Sequence, residues 1–170
     1  MRIYLVGFMG AGKTAVGRCL ARRLGWRFVD LDREIERRSG VSVAEIFERE
    51  GEPGFRSRET AALRRISRRQ RTVVATGGGT LTDPENAEVI RASGRSVFLD
   101  APLEVLFDRV ERSARDRPLF SDRAQARALY ESRLAAYRSA DLVVPVTAED
   151  RPEAVAERVA ARLGSEPCVI

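Results

Sequence analysis

The chain has 170 residues, 44% hydrophobic and 32% charged, a balance that excludes a disordered chain and fits one globular domain spanning 1–170. It carries a net charge of +5 and no histidine, which excludes histidine-based nucleophilic triads, histidine metal sites and a histidine general base, leaving acid–base work to Asp, Glu, Lys, Tyr or Cys. No apolar run approaches the roughly 18 residues needed to cross a bilayer, and Cys19 and Cys168 lie outside any Cys-x-x-Cys pattern, so a cytoplasmic protein with inert thiols and no membrane partner is expected.

Short apolar runs alternate with amphipathic stretches of helical length. Residues 2–6, "RIYLV", read as a buried strand, followed by a glycine loop and a helix over 13–25 in which Val16, Cys19, Leu20 and Leu24 recur at helical spacing and Gly25 provides the stop. A second strand is expected at 27–32, "RFVDLD", then helices at 33–51 and 56–69 separated by "GEPG". Strand 72–76 runs into Gly77, Gly78 and Gly79; helix 84–93 precedes strand 96–100, and helix 103–113 leads into the polar loop 114–122. A long helix at 123–138, a strand at 141–146 and a helix at 152–163 complete the chain. Alternation of continuous apolar strands with helices predicts an α/β fold with a mainly parallel sheet covered on both faces.

The stretch "GFMGAGKT", residues 7–14, fits G-x-x-x-x-G-K-[ST] and sits directly between a predicted strand and a predicted helix, the context that makes the motif meaningful. Its glycines free the backbone to turn N–H groups inward, and the helix N-terminus adds to a cradle for anionic phosphates. Lys13 is the only lysine in the chain; every other one of the 30 basic residues is arginine. A flat guanidinium does not replace a compact ammonium inside a ring of amides, which accounts for the exception. Thr14 offers a hydroxyl to Mg²⁺. The basic run "RRISRRQR", 64–71, reads as a solvated helix end near the C-terminal dipole rather than a nucleic-acid surface, since no stacking aromatic is interleaved in it.

Beyond this loop, "FVDLDREIE", "GVSVAEIFEREGEPGFRSRE", "TGGGT", "RPLF" and Arg133 followed by "AYRSADL" resemble the shikimate kinases over nearly the whole chain. The resemblance implies a P-loop NTPase fold of the nucleoside-monophosphate-kinase type: a five-stranded parallel sheet flanked by helices, substrate-binding helices at about 33–61 and a mobile lid at about 112–124. The implied activity moves the γ-phosphoryl of ATP to the 3-hydroxyl of shikimate. ATP and Mg²⁺ are the expected cofactors, and a monomer with no nucleic-acid partner is expected.

Gly10, Ala11, Gly12, Lys13, Thr14 and Ala15 would hold the nucleotide phosphates, with Arg112 and Pro152 at the adenine, Arg109 and Arg115 being near enough in sequence to take the place of Arg112. Arg56 and Arg133 would clamp the shikimate carboxylate, because guanidinium forks pair with carboxylates bidentately. Glu59, three residues past Arg56, would share its helical face and steady it. Gly77, Gly78 and Gly79 would let backbone approach the substrate. Asp30 and Asp32 alternate along a strand end, which points them to opposite faces unless the chain turns there. The resemblance puts Asp32 on the substrate hydroxyls as orienting group and base, and Asp30 with Thr14 near Mg²⁺. Alternatively, "DLD" merely caps the following helix. Arg117 of "RPLF", where the family usually ends this motif in leucine and this chain has Phe120, would reach the transferring phosphate as the lid closes. Other small-molecule P-loop kinases, such as gluconate kinases, share the loop without the remaining motifs.

Overall fold

The computed structural model describes residues 1–112 and 123–165. Five parallel strands form one sheet in the order β2-β3-β1-β4-β5: β1 (Arg2–Val6), β2 (Arg27–Asp30), β3 (Thr72–Ala75), β4 (Arg95–Asp100) and β5 (Leu142–Pro145). The three inner strands carry the continuous apolar runs and are almost wholly buried; the edge strands β2 and β5 are partly exposed. This is the burial expected when helices cover both faces of a parallel sheet.

The helices are α1 (Lys13–Leu24), α2 (Leu31–Ser39), α3 (Val43–Ile66), α4 (Pro84–Ser93), α5 (Leu103–Arg112), α6 (Arg123–Arg138) and α7 (Pro152–Ser165), with a short 3₁₀ turn at Thr80–Thr82. The connection from β1 passes over β3 to the outer β2, whereas the connection from β3 returns across β1 to β4. With right-handed crossovers, these opposite directions place the two intervening helices on opposite faces. Adjacent strands β1 and β3 therefore release their chains in different directions, and the crevice beyond their carboxyl ends is the ligand position of such sheets. Both glycine loops, after β1 and after β3, lie there.

Two local features differ from the sequence-based expectation. The second strand stops at Asp30, because the chain turns and α2 begins at Leu31. The helix expected over 33–51 is interrupted: Gly40 closes α2 at φ 72°, and Ser42 with Glu45 opens α3 through a reciprocal capping box. The break expected at "GEPG" is present: α3 is two helical stretches that meet at a kink, with Gly51 at a non-helical φ of 68° between them. Arg64 and Arg65 occupy the last turn of α3, as expected of cations near a helix C-terminus.

Candidate active site

The loop between β1 and α1 is shaped by left-handed or extended glycines: Gly7 has φ 137°, Gly10 φ 81° and Gly12 φ 89°. At Gly10 a side chain is also barred by space, since a Cβ would stand 2.8 Å from the Leu106 carbonyl. Ala11 is buried, and Ala15 is exposed on the first turn of α1. The Lys13 ammonium folds over this loop and donates to the carbonyls of Gly7 at 2.7 Å and Phe8 at 2.9 Å.

Directly after α1's first residue, the Thr14 hydroxyl donates to Asp30 Oδ2 at 2.7 Å. Asp30 Oδ1 meanwhile accepts from the Arg33 backbone at 3.3 Å, capping α2. Asp30 therefore both caps a helix and faces Thr14. The hydroxyl and carboxylate are oxygen donors only, as a hard cation such as Mg²⁺ prefers. Among the described residues no cluster of three or more His, Cys, Asp or Glu side chains is gathered for a metal, so a cation here would draw the rest of its shell from phosphate and water.

Because the chain turns at Leu31, Asp32 enters the first turn of α2 and points inward. Its Oδ1 is buried and has no hydrogen-bond partner. Burial first, then the charges of Asp30 and Glu59, push its carboxyl up to about 6, against the Lys13 ammonium that pulls it down.

The three glycines after β3 are packed against the same groups. A Cβ on Gly77 would lie 3.2 Å from Asp32 Oδ1 and 3.1 Å from Glu59 Oε1; on Gly78, 3.3 Å from Arg133 Nη1; on Gly79, 2.4 Å from Arg56 Nη2. Two guanidiniums from α3 and α6 thus converge on one bare stretch of backbone. Arg56 Nη1 donates to buried Glu59 at 2.7 Å, while Nη2 reaches the exposed Glu52 at 3.0 Å. From α6, the Tyr137 hydroxyl donates to the Gly78 carbonyl. Burial pushes that phenol up to about 12, which keeps it a neutral donor.

A family model for shikimate kinase matches residues 9–164. The chain belongs to the shikimate kinase family. A shikimate kinase of Synechococcus sp. (strain CC9605) is 46% identical over 160 residues, 92% of this chain and 79% of that protein. Another, from Ruegeria pomeroyi, is 45% identical over an alignment of 171 residues, covering 99% of this chain and 87% of its own length. Among solved structures, shikimate kinase from Acinetobacter baumannii in complex with shikimate superposes with a TM-score of 0.91 at 40% identity, covering 98% of this chain and 94% of that one.

Against the residues expected of a shikimate kinase, the structure brings together the glycine loop, Lys13, Thr14, Asp30, Asp32, Arg56, Gly77, Gly78, Gly79 and Arg133. Arg112 is exposed at the end of α5, and Pro152 opens α7. One turn before Arg112, Arg109, one of the two arginines near enough to take its place, donates to the Thr147 carbonyl at 2.8 Å and lies beside Gly12. Arg117 and most of the expected lid fall outside the described residues. Thr80, Asn86 and Tyr137 were also missed: each is a lone polar residue in the sequence, and only its burial reveals it. Glu52 was missed as well, because reading "GEPG" as a break hid its spacing of four from Arg56, which sets the two side by side.

Proposed function

We propose that this chain transfers the γ-phosphoryl of ATP to the 3-hydroxyl of shikimate, giving shikimate 3-phosphate and ADP. The observation that carries this reading is the convergence of Arg56 and Arg133 on Gly78 and Gly79, with Asp32 beside Gly77 and the Lys13 loop on the neighbouring strand. An anionic hydroxy acid held by the two forks would present a hydroxyl toward Asp32 and the phosphate cradle.

In this reading Gly10, Ala11, Gly12, Lys13, Thr14 and Ala15 hold the phosphates, and Arg112 and Pro152 flank the adenine. Thr14 and Asp30 would hold Mg²⁺, which would supply neutralisation of the phosphate charge. Asp32 orients the 3-hydroxyl and accepts its proton as the bond to phosphorus forms. Phosphoryl transfer is loose, so placement of the hydroxyl contributes more than the strength of the base. Arg117 reaches the transferring group from the lid at about 112–124, and the helices at about 33–61 shape the acid site. The chain acts as a single domain, as a monomer and in the cytoplasm; no described helix is long and apolar enough to cross a membrane.

Coupled ADP release with a panel of hydroxy acids tests the assignment: shikimate should support turnover and gluconate should not. Arg56→Ala should raise the KM for shikimate and leave that for ATP unchanged; a loss confined to ATP would show the acid site misassigned. One observation favours a second surface. Trp26 lines a cleft with Arg27, Arg69, Gln70 and Arg71 at the opposite end of the sheet, so the tertiary structure supplies the aromatic that the basic run lacks. Salt-dependent retention on single-stranded DNA would mark that face as a nucleic-acid surface.

A further inference from the structure

Glu59 is fully buried, yet it is a carboxylate with two oxygens to satisfy. Oε1 accepts from the Thr80 hydroxyl at 2.6 Å; Oε2 accepts from Arg56 Nη1 at 2.7 Å and from Asn86 Nδ2 at 3.4 Å. Thr80 and Asn86 are themselves fully buried. They come from different elements, the 3₁₀ turn after the three glycines and the first turn of α4, where Asp83 caps the helix and holds Asn86 by its backbone N–H at 3.1 Å.

Arg56 has a second anchor, Glu52, but that side chain is 65% exposed. An ion pair in water fixes a long side chain weakly. The buried pair decides where the guanidinium stands, and the buried carboxylate stands where its own donors put it. The result is a chain of contacts leading from α4 and the 3₁₀ turn, through Glu59, to the fork beside Gly79.

We propose that Thr80 and Asn86 are positioning residues for recognition of the substrate carboxylate: by donating to Glu59 they lock the carboxylate that aims Arg56 at the acid site. The inference rests on the reading of Arg56 as part of the clamp. Neither residue touches substrate. Thr80 supplies the hydroxyl at Oε1 and Asn86 tethers Oε2, so losing either lets Glu59 rotate and leaves Arg56 held by the exposed Glu52.

The test uses the full chain and steady-state kinetics. Thr80→Val keeps the shape and removes the donor. It should raise the KM for shikimate about tenfold, the effect of one unpaired buried acceptor, with kcat changed less than about threefold and the KM for ATP unchanged. Thr80→Ser should restore the wild-type value. Asn86→Ala should repeat the pattern more weakly, its bond being longer, and serves alone if Thr80→Val does not fold. In an Arg56→Ala background, Thr80→Val should add no further loss for shikimate, because it acts through that arginine. A lowered melting temperature with unchanged KM values, equal losses for both substrates, or additive losses in the double variant would each overturn the proposal. If Arg56→Ala itself leaves the shikimate KM unchanged, the clamp reading fails first and takes this inference with it; if Arg56→Ala raises that KM and Thr80→Val does not, only the inference fails.

Discussion

Lys13 and Asp32 show how much depends on single side chains. Lys13 is the one side-chain ammonium in a protein otherwise furnished with guanidiniums, and it bends over the glycine loop to the carbonyls of Gly7 and Phe8. Lys13→Ala should lower kcat by about 10³-fold or more, as expected when a fixed charge at the transferring phosphate is lost; coupled ADP release measures it, and near-normal kcat would contradict the phosphate role. Lys13→Arg should fail nearly as badly, because a planar fork cannot enter a ring of amides built for a point charge. Asp32 carries a buried oxygen with no hydrogen-bond partner, the feature on which its proposed role at the substrate hydroxyl rests. Asp32→Asn should cut kcat far more than it weakens ATP binding, measured by calorimetry; an unchanged kcat would remove it from the chemistry.

At the level of elements, the site depends on how helix starts and glycine stretches are built. α2 begins one residue after Asp30, so two aspartates that would diverge along a strand instead divide between a helix cap and the cleft. Ser42 and Glu45 form a readable capping box, yet the continuous helical periodicity of 33–51 masks it. Local capping chemistry outweighs periodicity here, since Gly40 also supplies a left-handed turn. The three glycines after β3 act as a bare surface for arginines. Gly79 has an ordinary φ of −102°, so alanine is tolerated by the backbone there, but its Cβ would meet the Arg56 guanidinium. Gly79→Ala should therefore raise the KM for shikimate about tenfold, the scale of a displaced charged hydrogen bond, and spare the KM for ATP. Steady-state titration of each substrate separates the two effects; an effect on ATP alone would contradict the placement.

For the molecule as a whole, the site is assembled at a cost to stability that pH exposes. The Asp32 carboxyl rises from 3.8 in the unfolded chain to about 6 in the folded one. Between these values the folded state binds the extra proton, so the contribution of this one group to stability is greatest below pH 4, falls as pH rises through the window, and levels off above 6. The contribution lost is about 3 kcal/mol at most, the free energy of such a rise. Thermal melting of the ligand-free protein should show Asp32→Asn gaining on the wild type at pH 8, by up to that amount, with the gain shrinking toward pH 4. A gain independent of pH would mean that ionisation of Asp32 is not its source. The same group should give kcat/KM for shikimate an acid limb near pH 6, with activity lost as Asp32 protonates.

The order of strands and helices, the parallel sheet, the phosphate loop and the family can all be read along the chain, because they rest on periodicity and on contiguous motifs. The pairing of Arg56 with Glu59 was also legible, as neighbours on one helix turn. That Asp32 turns inward, that Arg133 meets Gly78, and that Thr80, Asn86 and Tyr137 pack around the site became visible in the folded molecule alone. Each of these depends on residues far apart in the chain being packed together in the crevice where β1 and β3 end. Burial there gives an isolated threonine or asparagine a partner and a role, and burial is a property of the packed fold that spacing along the chain does not encode.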